Sequence, residues 1–435
     1  MGCGYGRQLI GALLLACTAA LPGAACAEAA SAPAAAASSP LQLQLEAIRR
    51  LQAQRPGDGL LVYYEAMTLA RLGERALALE QLRALAGRRL GLVPVRGLFE
   101  SLWDDADFQA LRLQLWEEEP RTPEAPAVHR LQDARLIPEG IAWDARRGVH
   151  YLGSIARRKV VKVDRAGRVR DLSRPGDDLE AVLGLALDAR RDRLCAVSTN
   201  GFEAAGAGMP RNAVVCWNLA TRRVSARADF AEARQLNDLA FTPDGSLFVT
   251  DSAEGSLWRW TLGTRPVRVG AAGALRGANG VAVAPGAVYV ALSTGIARVD
   301  PATGALERLP QPDDALTGGI DGLYWDEGAL LGVQNVPNPG RVIRLALDEA
   351  GRRITGVHVL QSHHHPDFAE PTTGALVGRH LHVIANSHVE HYQPDRSLRD
   401  VQALRGTVIV AVPTRPATRG TPVRAPADRA TRASG

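Results

Sequence analysis

The sequence predicts an all-β six-bladed β-propeller preceded by a small α-helical, tetratricopeptide-like domain. Three observations carry that expectation. A five-residue strand opening recurs six times after residue 138, the intervals between copies suit a four-stranded blade, and amphipathic helical patterns fill the stretch before the first copy.

The chain of 435 residues has room for one large domain and a smaller one. Hydrophobic residues make up 46% and charged residues 22%, a globular balance that excludes a disordered or fibrous protein. The formal charge of +5 is concentrated at one end, because residues 414–435 set Arg415, Arg419, Arg424, Arg429 and Arg432 against Asp428 alone. That segment reads as a disordered basic tail, and the near-neutral body offers no basic face for nucleic acid.

Residues 1–27 read as an export signal, with Arg7, an apolar run from Leu9 to Leu21, a break at Pro22-Gly23 and small residues around Ala25-Cys26-Ala27. The run falls short of the ~20 residues that cross a bilayer, so no transmembrane span is expected. Leu14-Leu15-Ala16-Cys17 supports an alternative, a lipid anchor at Cys17. Both readings export the protein, either to the periplasm or to the medium. Cys195 and Cys216 then remain in the body; a bridge is one reading, and two small buried strand residues the expected one, because bridges between neighbouring strands demand restrictive geometry.

Residues 28–40 form an Ala/Ser/Pro linker, and residues 41–118 turn helical. Periods over Leu41–Leu51, Leu60–Leu72 and Arg75–Ala86, punctuated by Gly73-Glu74, predict a helical hairpin, and Asp107–Glu118 a further helix. Tyr63 to Gly73 and Ala76 to Leu82 resemble one tetratricopeptide-type repeat. A single copy fits either a cap on the propeller or a module that binds a protein partner. Residues 119–127 are a proline-rich linker.

The propeller is expected over 128–413. Its six openings are Glu139-Gly-Ile-Ala-Trp143, Leu183-Gly-Leu-Ala-Leu187, Asn237-Asp-Leu-Ala-Phe241, Asn279-Gly-Val-Ala-Val283, Asp321-Gly-Leu-Tyr-Trp325 and Thr372-Thr-Gly-Ala-Leu376. Their first positions stand 44, 54, 42, 42 and 51 residues apart. Turns such as Thr242-Pro-Asp-Gly245 lead into second strands such as Leu247–Thr250. The last copy stops at a third strand, Thr407–Val412, while Val128–Ala134 precedes the first opening. The early strand is expected to complete the last blade and close the ring.

Innermost strands begin near the axis, so the first positions face one funnel. Four of their six occupants, Glu139, Asn237, Asn279 and Asp321, carry carboxylate or amide oxygens. A hard dication such as calcium takes that donor set. On that reading Leu183 and Thr372 mark the sides that hold no metal; the other reading makes the four residues turn residues and a solvated strand end.

The pattern Pro138-Glu139-Gly140, Asn237-Asp238, Asn279-Gly280 and Asp321-Gly322 resembles the senescence marker protein, gluconolactonase and luciferin-regenerating enzyme family over about residues 128–413. The resemblance implies a divalent cation, calcium with zinc as the alternative, on Glu139, Asn279 and Asp321. It also implies Asn237 beside metal and substrate, Asp321 as the base, and hydrolysis of a lactone or similar ester. Two departures stand against a sugar lactone or a paraoxonase-like histidine mechanism. Gln235 occupies the place of the family's usual sugar-binding arginine, and no histidine lies between His150 and His358. His363-His364-His365 is expected as a solvated loop. His388, after Asn386-Ser387, is a candidate substrate contact or proton shuttle at the funnel, and Glu370 either lines the funnel or is a loop charge. The alternative function is a non-catalytic propeller whose axial cation is structural or absent and which binds a protein or small-molecule partner.

Overall fold

The computed structural model describes residues 39–203, 209–336 and 339–416. The export signal, Cys17, the linker before Ser39 and the tail beyond Pro416 lie outside the described residues.

Four helices open the described chain: α1 (Pro40–Gln54), α2 (Gly59–Leu72), α3 (Arg75–Arg83) and α4 (Ala106–Glu118). Their ends follow from local chemistry. Ser39 and Gln42 cap α1 reciprocally, the Asp58 carboxylate accepts from the Leu60 and Leu61 N–H groups, and Asp105 accepts from Phe108. Gly73 ends α2 at φ 83°, a left-handed conformation that glycine adopts without penalty. The buried faces, including Leu60, Tyr63, Leu79, Phe99 and Phe108, form one core, and that core includes Leu316 of the propeller. The helical region is therefore packed onto the propeller through shared apolar contacts.

Six antiparallel four-stranded sheets follow. Their innermost strands are Pro138–Asp144, Ala181–Asp188, Leu236–Phe241, Val281–Ala284, Ile320–Asp326 and Gly374–Val377. The ring closes as expected: Ala127–Arg130 pairs antiparallel with Val408–Pro413 and becomes the outer strand of the sixth blade, somewhat shorter than the 128–134 segment. Inner and middle strands are nearly continuous apolar runs because both of their faces meet neighbouring blades, whereas outer strands such as Val169–Asp171 are exposed.

Two expectations are corrected here. Cys195 and Cys216 sit directly opposite each other on the second and third strands of the second blade and form a disulfide. Sequence spacing gave no register, and it is the register that brings the two sulfurs together. The triple histidine is likewise no solvated loop: His363 and His365 are buried. The His363 ring lies 4.3 Å from the Trp116 ring, while His364 and His365 reach the carbonyl oxygens of Glu119 and Ala125 at 3.1 and 2.9 Å. The three rings clamp the end of α4 and the following linker to the propeller. Beside them Arg341 and Glu119 make a buried ion pair at 2.9 Å, and Arg341 also donates to Gln334 at 2.7 Å. A buried charge pair needs such added hydrogen bonds to offset its lost hydration.

Candidate functional site on the propeller axis

All six openings fold into the same local device. In the first, second, third and fifth blades the ladder shifts by one residue across the opening, so Glu139-Gly140, Leu183-Gly184, Asn237-Asp238 and Asp321-Gly322 each oppose a single residue. The fourth and sixth show it in their hydrogen bonds. The Asn279 N–H donates to the Ala291 carbonyl while the Ala291 N–H donates to Gly280, and Thr372, Ile384 and Thr373 repeat that pattern. These are β-bulges, which bend a strand and re-aim its side chains. The turn-prone residues of the openings thus mark bulges at the start of a strand.

The glycine in the second position reflects close packing between blades. A Cβ on Gly140 would lie 2.1 Å from the Leu183 carbonyl oxygen, and one on Gly280 would lie 2.3 Å from that of Asp321. Gly280→Ala is therefore expected to cost at least about 2 kcal/mol, read as a lowered denaturation midpoint, since the obstacle is backbone of the next blade. Two blades depart from glycine. Thr373, with Thr372, donates to the Glu139 carbonyl, and Asp238 accepts from the Val281 N–H at 3.0 Å.

The bulges bring Glu139, Asn279 and Asp321 together. Burial raises the Glu139 carboxyl well above the usual range, and the carboxylates of Asp321 and Asp238 add to the rise. Burial likewise pushes Asp321 up to about 7, opposed by the Asn335 amide, which donates to Oδ2 at 2.6 Å; Asp238 adds to the rise and the Asn279 amide lowers it. Asp238 is also raised to about 7 by burial, against the lowering effect of the Val281 and Leu239 N–H groups. Asn237 holds the same bulge position and is buried, its Nδ2 donating to Ser252 at 2.8 Å. Three buried oxygens of these residues, Glu139 Oε2, Asn237 Oδ1 and Asn279 Oδ1, have no hydrogen-bond partner among the described residues. Buried acceptors without donors are costly, and an oxygen-seeking cation satisfies such a set.

Asp238 is the residue that sequence reasoning missed. It lines a cavity of about 290 Å³ along the axis together with Tyr324, whose hydroxyl accepts from the Gly374 N–H at 2.5 Å. The available signal was an aspartate in a position that is glycine in four of the six openings.

His388 is engaged outside this cluster. Its Nε2 accepts from Asn386 Nδ2 at 3.2 Å and from the Arg405 N–H at 3.3 Å. The amide cannot be turned over, because Asn386 Oδ1 accepts from Val408 N–H at 2.6 Å. Burial, with His391 and Arg405 nearby, depresses His388 to about 4, so the ring is neutral at pH 7. With Glu390 and His391 it forms a tight group of potential ligating atoms. Glu370 is buried in a left-handed conformation at φ 59°, and its Oε2 accepts from the Glu390 N–H at 3.0 Å.

Two elements cover the face on which the inner strands begin. Over the fourth to sixth blades lies the helical region: Arg55 and Arg88 donate to the carbonyls of Thr294 and Asp313 at 3.1 and 2.9 Å, and Glu119 pairs with Arg341. From the sixth blade the 385–407 connection reaches the second, where Tyr392 donates to Glu203 at 2.9 Å and packs near Phe202. The fold and axis together define a six-bladed propeller with an acid and amide cluster beneath a two-part roof.

No family profile matches the sequence and no curated protein does, so the family likeness rests on the openings themselves. Among solved structures, a gluconolactonase from Xanthomonas campestris is similar at 20% identity and a TM-score of 0.43, covering 68% of this chain and 99% of that one. An aldose sugar dehydrogenase from Streptomyces coelicolor, in its PQQ-bound form, is similar at 14% identity and a TM-score of 0.46, with 68% and 99% covered. A virginiamycin B lyase from Staphylococcus aureus is similar at 13% identity and 0.44, with 59% and 80% covered. At these identities and scores none of them assigns an activity to this chain.

Proposed function

We propose that this protein is a divalent-metal-dependent hydrolase of a lactone or similar ester, with Glu139, Asn279 and Asp321 holding the cation and Asp321 acting as general base. The observation that supports this most directly is the group of partnerless buried oxygens on Glu139, Asn237 and Asn279 beside the buried Asp321 carboxylate. An all-oxygen donor set favours calcium over zinc. Held there, the cation would polarise the substrate carbonyl.

The chain's own groups would do the rest. Asn335 fixes the Asp321 carboxylate through Oδ2, leaving Oδ1 to take a proton from water as the water oxygen bonds to the carbonyl carbon. The acyl–oxygen bond then breaks, and the same proton passes to the departing alkoxide. Asn237, anchored by Ser252, would orient the substrate. His388 would act through the 385–407 connection that it anchors, bordering the bound substrate as a neutral ring. The helical region, with its one tetratricopeptide-like hairpin, is read here as a wall of the site, a role supported by the core it shares with Leu316. An exported location suits a protein carrying the Cys195–Cys216 bridge.

The test is a screen of lactones and aryl esters with calcium, with zinc and with chelator. Turnover lost to chelator and restored by calcium is expected. Turnover indifferent to chelator would sink the metal assignment, and calcium binding with no turnover on any ester would favour the non-catalytic, partner-binding propeller.

A further inference from the structure

None of the axial residues lines a second cavity, of about 360 Å³, which opens where the helical region meets the fourth blade. Its helical side is Arg55-Pro56-Gly57-Asp58, the corner between α1 and α2. On the propeller side Thr294 lies in the turn between the second and third strands of the blade, Ala287–Leu292 and Gly295–Val299. Arg308 is the last residue of the outer strand, Leu306–Arg308, and the link that follows lines the cavity as far as Asp313. The proposed hydrolysis makes no use of these groups.

Two guanidinium groups converge there on one atom. Arg55 Nη1 donates to the Thr294 carbonyl oxygen at 3.1 Å, and Arg308 Nη2 donates to the same oxygen and to Thr294 Oγ1 at 2.8 Å. Gly295 gives Arg308 that position, because a Cβ on it would lie 2.8 Å from Nη2. A third guanidinium spans the rim, Arg88 Nη2 donating to the carbonyls of Gly57 and Asp313. A carbonyl oxygen accepts hydrogen bonds but cancels no charge, so like charges gathered this closely call for an anion. The carboxylates of the lining do not supply it. Asp58 is engaged, with Oδ1 accepting from the Leu60 and Leu61 N–H groups and Oδ2 pairing with Arg55 at 3.2 Å. Asp313 is exposed, where water and salt screen its charge. Among the described residues Arg88 and Arg308 form no ion pair. Part of Arg308 is open to solvent, yet the protein packed around it and the Arg55 charge push its guanidinium down to about 10, with Asp58 opposing.

We propose that this cavity binds a phosphate dianion, free or as a small monoester, between Arg88 and Arg308 with Arg55 beside them. Two guanidinium groups without a carboxylate partner match a double negative charge, and each keeps donors at Nε and Nη1 for phosphate oxygens. Pro56, Leu309, Pro310 and Pro312 add apolar surface beside the charge, which suits the stem of an ester. A bound phosphate would also tie the corner between α1 and α2 to the fourth blade, just before the strand that carries Asp321. The inference is read from this cavity alone and stands whether or not the axis hydrolyses an ester.

The experiment titrates inorganic phosphate, glycerol 3-phosphate and glycerol into the full chain by calorimetry, with chelator present so that no cation at the axis can hold the anion. Both phosphates are expected to bind at one site with a dissociation constant below about 1 mM, and glycerol not at all. Tighter binding of glycerol 3-phosphate makes an ester the ligand, and equal or tighter binding of inorganic phosphate makes it the free ion. Arg308→Gln and Arg88→Gln should each weaken binding at least about tenfold, the effect of losing a hydrogen bond between charged partners. Arg71→Gln, exposed at the far end of α2, should leave it unchanged. Arg308→Lys keeps the charge and should recover part of the affinity, and melting temperatures without phosphate show that each variant folds; if Arg308→Gln does not, Arg88→Gln decides. No binding by the unaltered protein overturns the site, as does binding that the Arg308 and Arg88 substitutions leave intact or that Arg71→Gln weakens as much. Phosphate binding without ester turnover leaves this site standing while the hydrolase reading fails, and turnover without phosphate binding does the reverse.

Discussion

Asp321→Asn is expected to lower kcat for ester hydrolysis by about 10² to 10⁴-fold while raising the melting temperature of the cation-free protein. The two effects have one cause. Glu139, Asp238 and Asp321 are buried within electrostatic reach of one another, and among the described residues none of them forms an ion pair with a cationic side chain. Asparagine keeps the shape and still accepts from Asn335, but it removes a charge that burial opposes. Raising Asp321 from 3.8 to about 7 corresponds to a burden of about 4 kcal/mol at alkaline pH. Relieving it is worth several degrees in a domain of this size. A structural acid would lose stability on the same substitution, so scanning calorimetry beside kinetics separates the roles. Lost activity with lowered stability would contradict the functional assignment.

The axial residues were legible because a bulge imposes a local sequence demand. Gly140, Gly184 and Gly280 each face the next blade so closely that a side chain has no room, Gly322 is crowded by the Tyr324 hydroxyl of its own strand, and this punctuation fixes the phase at which Glu139, Asn279 and Asp321 appear. The end of α2 was legible for a similar reason, since Gly73 acts on its own neighbours. What stayed hidden depends on partners far along the chain. Nothing local distinguishes a solvated histidine run from one clamped on Trp116, some 247 residues away. The Cys195–Cys216 bridge needs the register of two strands, and the cavity between Asp58 and Arg308 needs a docked helical region. Asp238 was hidden differently. It is one of two departures from the glycine rule, and such a departure reads as noise until the Val281 N–H is seen bonded to it.

Calcium is expected to stabilise the protein far more at pH 8 than at pH 4.5, because cation and protons compete for the same carboxylates. In the cation-free protein, Asp321 and Asp238 titrate at about 7 and Glu139 well above its usual range, so the folded state keeps protons that the unfolded chain releases near pH 4. The folded state then binds more protons, and stability falls as pH rises from about 4 through 7. The histidines act with opposite sign. Burial, helped by charged or histidine neighbours, depresses His150 to about 3 and His363, His382 and His388 to about 4. The unfolded chain takes up protons below about 6.5 that the folded state refuses, so this contribution is lost as pH falls from there towards 4. Without cation the two slopes oppose each other between about pH 4 and 6.5, and above that window the carboxylate loss proceeds alone. A cation on Glu139 and Asp321 displaces their protons and removes their share of that loss, so stability climbs with pH to about 6.5 and then falls only through the share of Asp238. At a hundred times its dissociation constant calcium contributes about 2.7 kcal/mol, and that gain should shrink towards zero as the carboxylates protonate. Thermal unfolding from pH 4.5 to 8, with calcium and with chelator, measures the difference. A calcium effect independent of pH, or one that survives Asp321→Asn unchanged, would place the cation somewhere other than the axis.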